Sequence, residues 1–208
     1  MPRRHGIAAV LVAAALLAAG CGARAAPAAG SSSASALKCS AGQPSLSAVP
    51  TGATQMGGSQ SPVQLIHGHP LAAVFTAQAQ FSSVGAQSPT WFTTGSGYTL
   101  ILRAGAGMNG RELACATFDN ATDNGWNVLY LTSPEPGGLY TLEMHAPTGT
   151  AQEACPGHRS EPNCATTPLS GAKGGVIGWW ENPSGADGGD YAIVGGKQTG
   201  GVFSLFYQ

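Results

Sequence analysis

The chain has 208 residues, with nine Lys+Arg against ten Asp+Glu. The charges are sparse and spread out, with no basic patch, which argues against a nucleic-acid partner. A hydrophobic share of 43% with four Trp is too apolar and too aromatic for a disordered chain, and the length fits one folded domain.

Arg3 and Arg4 precede an apolar run from Ile7 to Ala19. A basic start, a short apolar core and then small residues form the pattern of a secretory signal. At about 1.5 Å per residue the run reaches roughly 20 Å, short of the ~30 Å hydrocarbon core, so it is a poor permanent membrane span. It leads into Leu17-Ala18-Ala19-Gly20-Cys21. These residues resemble the lipobox of bacterial lipoproteins, with one departure: Ala18 stands where that family most often has Leu. The resemblance covers residues 1–22 and says nothing of the domain behind them. It implies that residues 1–20 are a removed signal peptide. It also implies that Cys21 becomes the first mature residue and carries a diacylglyceryl thioether. Acyl chains of the palmitate class, at about 0.8 kcal/mol per buried CH₂, would hold the protein durably on a membrane. The implied place is the bacterial cell envelope, with the domain facing the periplasm or the exterior. Without Arg3 and Arg4, seven Lys+Arg face ten Asp+Glu, a net charge near −3.

Residues 22–38 are mostly Ala, Ser and Gly, and residues 40–60 stay rich in Gly, Ser, Pro and Gln. No apolar period runs through them, so residues 21–60 read as the lipidated cysteine followed by a flexible tether. The folded domain is expected over residues 61–208. With Cys21 set aside, Cys39, Cys115, Cys155 and Cys164 form an even set in an oxidising compartment. Three connectivities are open, and Cys39–Cys115 with Cys155–Cys164 is favoured. In the loop-entropy model the first contributes about 4.5 kcal/mol and the second about 2.7 kcal/mol. Neither spacing is a CxxC, which argues against zinc or thioredoxin-like chemistry.

Strands are predicted at 63–67, 71–81, 90–94, 98–103, 111–118, 127–132, 140–145, 176–181, 191–194 and 202–207. The clearest alternations are Leu71, Ala73, Phe75, Ala77, Ala79 and Phe81; Tyr98, Leu100 and Leu102; Tyr140, Leu142 and Met144; and Phe203, Leu205 and Tyr207. A period of two puts one face in a core and the other toward solvent. Gly95-Ser96-Gly97, Asn109-Gly110, Asp123-Asn124-Gly125 and Pro183-Ser184-Gly185 supply turn chemistry between them. No convincing helical period appears. The expected fold is all-β, an antiparallel β-sandwich, with a small β-barrel as the alternative.

Within this frame His67-Gly68-His69 places two imidazoles at i and i+2, a spacing that lets both reach one metal. No carboxylate lies beside them in sequence and Pro70 ends the segment, so His67 and His69 are weak metal-ligand candidates, and neither a metal site nor a cofactor is expected. His145 follows Glu143 by two and could serve as a base beside a carboxylate. No Gly-x-Ser-x-Gly occurs, and Thr94-Gly95-Ser96-Gly97 reads as a turn. His158 lies inside the expected Cys155–Cys164 loop. Asp187-Gly188-Gly189-Asp190 lacks the full acidic ladder of a calcium loop. Trp179 and Trp180 are adjacent, so on a strand they face opposite ways and one is left partly exposed. Trp126, Trp179, Trp180 and Glu181 are therefore the candidate ligand-binding residues, suited to sugar stacking or a peptide groove. The expected function is a lipid-anchored, non-catalytic module. It would bind a carbohydrate or peptide of the envelope or exterior, or serve a structural role there. The alternatives are an exported hydrolase using His145 or His67, and metal capture by His67 and His69.

Overall fold

The computed structural model describes residues 38–148, 175–185 and 189–208. The expected signal peptide, Cys21, the Cys155–Cys164 pair, His158 and Asp187 lie outside the described residues. Within them the fold is all-β. One sheet has seven strands. In spatial order they are β1 (Ser40–Ala41), β7 (Glu112–Phe118), β6 (Tyr98–Ala104), β9 (Gly138–His145), β4 (Leu71–Ala77), β11 (Tyr191–Val194) and β12 (Lys197–Gln198). A second sheet orders β2 (Thr54–Met56), β14 (Leu205–Tyr207), β5 (Phe81–Ser88) and β8 (Gly125–Glu135). A third orders β13 (Val202–Phe203), β10 (Gly178–Asn182) and β3 (Ser61–Gln64). All pairings are antiparallel except β1 beside β7.

The two smaller sheets form one layer because a single residue joins them. Ser204 separates β13 from β14. Its N–H donates to the Trp180 carbonyl at 2.7 Å, while its carbonyl accepts the Gln87 N–H at 3.2 Å and the Trp179 Nε1–H at 2.8 Å. The chain thus passes from β10's neighbour to β5's neighbour without a loop. This composite layer packs on the seven-stranded sheet as a β-sandwich. The core takes Leu71, Phe75, Leu100, Leu142 and Met144 from one side and Val84, Leu129, Trp179, Phe203 and Leu205 from the other. At its centre Phe81 meets Tyr140 edge-on at 5.0 Å, and Phe75 stacks on Tyr207 at 5.9 Å. Such aromatic pairs contribute about 0.5–1.5 kcal/mol each beyond the area they bury.

In the four strong alternations the core-facing residues are buried, Phe75, Leu100, Leu142 and Leu205 completely, except Ala79, which is exposed in a turn; the faces expected toward solvent are largely covered too, with Ala72, Val74, Thr141 and Phe206 fully buried. The Cys39–Cys115 disulfide is present, with Cα atoms 4.7 Å apart, and fastens β1 to β7. Three readings change. The run predicted as one strand over 71–81 is a hairpin: β4 ends at Ala77 and β5 begins at Phe81. Gln78-Ala79-Gln80 turns without Gly or Pro, and Phe81 regains the parity of Phe75, so counting by twos carries across the break. The Gln78 N–H is satisfied by Tyr207 Oη at 3.1 Å. The strand predicted at 90–94 is a turn, treated below. Finally, part of the expected tether belongs to the fold. Residues 40–41 and 54–56 form β1 and β2, and Leu46 bridges Trp126.

Candidate functional site

Three segments meet at one opening: the β5–β6 loop, the β7–β8 loop and β10. Each presents an aromatic or polar side chain for a local reason. On β10 the alternation buries Trp179 completely and leaves Trp180 half-buried on the outer surface. Trp179 stacks on Phe203 at 4.6 Å, 11° from parallel. In the β5–β6 loop the Thr93 N–H donates to the Thr90 carbonyl at 3.0 Å, closing a four-residue turn. Its two central residues, Trp91 and Phe92, both have positive φ, 50° and 59°. Two positive φ values mark a type I′ turn, a place that favours Asn and Gly. A bulky residue held in the left-handed region costs roughly 1–2 kcal/mol. Trp91 recovers some of this by packing on Val176 and over Gly178, where a Cβ would stand 2.7 Å from the indole. Phe92 recovers none, being 89% exposed.

The surrounding hydrogen bonds hold that turn in place. The Thr90 N–H and hydroxyl donate to Asp123 Oδ1 at 2.6 and 3.1 Å. Asn124 Nδ2 donates to Asp123 Oδ2 at 2.9 Å, and Trp180 Nε1 donates to Asn124 Oδ1 at 2.8 Å. A single relay therefore runs from the turn through the β7–β8 loop to the indole on β10. Asn124 sits at φ 58°, which asparagine tolerates. Behind the turn, the Val176 N–H donates to Thr93 Oγ1 at 2.8 Å. The result is a cleft of about 270 Å³ lined by Trp91, Phe92, Trp180, Asp123 and Asn124, with Gln60, Pro62 and Pro89 completing the lining. Among the described residues Asp123 is the one ionisable side chain in that lining.

Of the expected ligand-binding residues, Trp180 alone lines this cleft. Trp126 is buried against Phe206 under Leu46, Val49 and Ala53. Trp179 belongs to the core. Glu181 is buried and accepts a hydrogen bond from Thr199 Oγ1 at 3.1 Å; desolvation raises its pKa, and that hydrogen bond opposes the rise. Burial therefore removes these three from any contact with a ligand. The candidates read from the sequence omit Trp91, Phe92, Asp123 and Asn124. The Trp-Phe pair has high β propensity and hides its turn; the flanking Pro89-Thr90 and Thr94-Gly95 were the only signals of it.

His67, His69 and His145 come together at a second opening of about 320 Å³. The His69 N–H donates to the Ile66 carbonyl at 3.0 Å across a turn in which Gly68 has φ 76°. His145 Nδ1 stands 3.7 Å from Glu143 Oε1, while Glu143 Oε2 accepts the Arg103 Nε–H at 2.8 Å. The carboxylate is thus held by arginine rather than by the imidazole. Among the described residues, no Ser, Thr or Cys side chain lines this opening beside the three imidazoles. Among the described residues no three His, Cys, Asp or Glu side chains are gathered as a metal site. Asp190 accepts the Thr76 N–H at 2.8 Å, tying its loop to β4. Compared with protein-family models, with curated proteins and with solved structures, the chain matches none.

Proposed function

We propose that the protein is a lipid-anchored, exported β-sandwich module that binds an envelope or extracellular ligand, without catalysis, through the Trp91–Phe92–Trp180 cleft. The observation that carries this reading is Phe92: an apolar ring, 89% exposed, held on a strained backbone at the mouth of a cleft. Among the described residues nothing in the packing rewards that placement, and backbone strain of this kind concentrates at ligand sites. The signal peptide and Cys21 put the domain on a membrane surface, and the Ala/Ser-rich stretch before Cys39 gives it reach. The disulfide suits an oxidising compartment.

The test is retention of envelope material. The purified full-length protein is mixed with solubilised cell-envelope extract, and the bound fraction is compared between wild type, Phe92→Asn and Trp180→Ala. Retention that both substitutions abolish is expected. Equal retention by all three proteins would remove the cleft from the function.

A further inference from the structure

The chemistry of the cleft narrows its ligand, and this step rests on the binding reading above. Peptide capture by strand addition is disfavoured beside it. Among the described residues β3 is the edge strand beside β10, and there Pro62, the register partner of Trp180, has no N–H to offer. Capture of an extended proline-rich peptide normally uses an indole N–H to hold a peptide carbonyl. Here Trp180 Nε1 is already committed to Asn124 Oδ1 at 2.8 Å. At Phe92 and Trp180 the exposed ring faces remain for a ligand. No ring–ring contact among the described residues involves Phe92 or Trp180, whereas Trp91, 9% exposed and packed on Val176, supplies a wall of the cleft rather than a free face.

Free aromatic faces beside planar polar groups match the surface of a pyranose. One side of such a ring is a patch of C–H bonds; its edge carries hydroxyls. The patch stacks on an aromatic face, and the hydroxyls reach carboxylate and amide oxygens such as those of Asp123 and Gln60. The volume, about 270 Å³, falls just below the usual range of ligand pockets and suits one ring of a longer chain. The Asp123 carboxylate disfavours a uronic acid there by like-charge repulsion. We infer that the Trp91–Phe92–Trp180 cleft takes a neutral pyranose unit of an extracellular or envelope polysaccharide.

The experiment is calorimetric titration of the full-length protein with three sets of probes. The first is neutral oligosaccharides of glucose, mannose, galactose and N-acetylglucosamine; the second is oligogalacturonate; the third is proline-rich peptides. Binding of at least one neutral oligosaccharide is expected, weakened roughly tenfold or more by Phe92→Asn and by Trp180→Ala. Oligogalacturonate is expected to bind more weakly than its neutral counterpart. Because Phe92 is exposed, Phe92→Asn keeps the fold, and an unchanged thermal transition checks for that. Oligosaccharide binding that survives both substitutions overturns the assignment. Peptide binding that Phe92→Asn abolishes overturns the sugar but keeps the cleft as a binding site. Silence from every probe, together with unchanged retention of envelope extract, overturns both.

Discussion

At Phe92 two demands on one residue conflict. The turn asks for a residue at ease with positive φ, and the exposed position asks for a polar one; phenylalanine satisfies neither. Asparagine satisfies both. Phe92→Asn is accordingly expected to raise stability by up to about 1 kcal/mol, read from chemical denaturation, because it relieves left-handed strain without opening a cavity. Glu181 holds a second conflict, one of charge. Its folded pKa lies above the ordinary 4.5 because burial penalises the carboxylate. Between 4.5 and the raised value the folded state binds more protons than the unfolded state, so stability falls as pH climbs through that window and stays lower above it. Glu181→Gln keeps an acceptor for the Thr199 hydroxyl and removes the charge. The variant is expected to melt higher than wild type at pH 7, with the gap closing as pH drops below 4.5. A gap that is the same at both pH values would mean the carboxylate is not desolvated.

At the scale of elements, adjacent tryptophans do opposite jobs because a strand alternates. Trp179→Ala removes an indole stacked on Phe203 and is expected to cost about 3–5 kcal/mol by denaturant titration. Trp180→Ala, on the outer face, is expected to cost far less. Similar losses for both would contradict the alternation. This facing was legible in the sequence, as were β4, β6, β9 and β14, because each carries large apolar residues at i and i+2. β5 was not legible. Its Phe81-Ser82-Ser83-Val84-Gly85-Ala86 is too small and polar to announce a strand, and its burial comes from β8 and β14 on either side. The turn at 90–93 failed for the converse reason: its aromatics read as strand formers, while a tertiary hydrogen bond from Thr90 to Asp123 decides their conformation. Only Trp180 of the cleft could be picked out beforehand. The remaining lining converges from segments about 30 residues apart in the chain, and nothing local encodes that meeting.

For the whole molecule, the start of the described chain is stitched into the domain rather than hung from it. The Cys39–Cys115 bond closes a separation of 76 residues, and β1, β2 and the Leu46 bridge add pairing to it. The double substitution Cys39→Ala, Cys115→Ala is expected to lower stability by about 2–5 kcal/mol, read as a denaturation midpoint under non-reducing conditions. A much smaller loss would mean that strand pairing alone fixes this segment. The sandwich then acts as a rigid platform: its two layers hold β10 and the loops that carry Trp91, Phe92, Asp123 and Asn124. Such a platform makes a strained turn tolerable, because the core supplies the stability that the turn gives up.

The most direct test of this arrangement is a thermal melt of wild type and Phe92→Asn, each with and without a saturating neutral oligosaccharide that the wild type binds. A ligand that binds only the folded state raises its melting temperature. The expected result is a ligand-induced rise in wild type and a clearly smaller one in Phe92→Asn, whose ligand-free transition lies at or above that of wild type. An equal ligand-induced rise in both proteins would contradict a binding role for the strained aromatic turn.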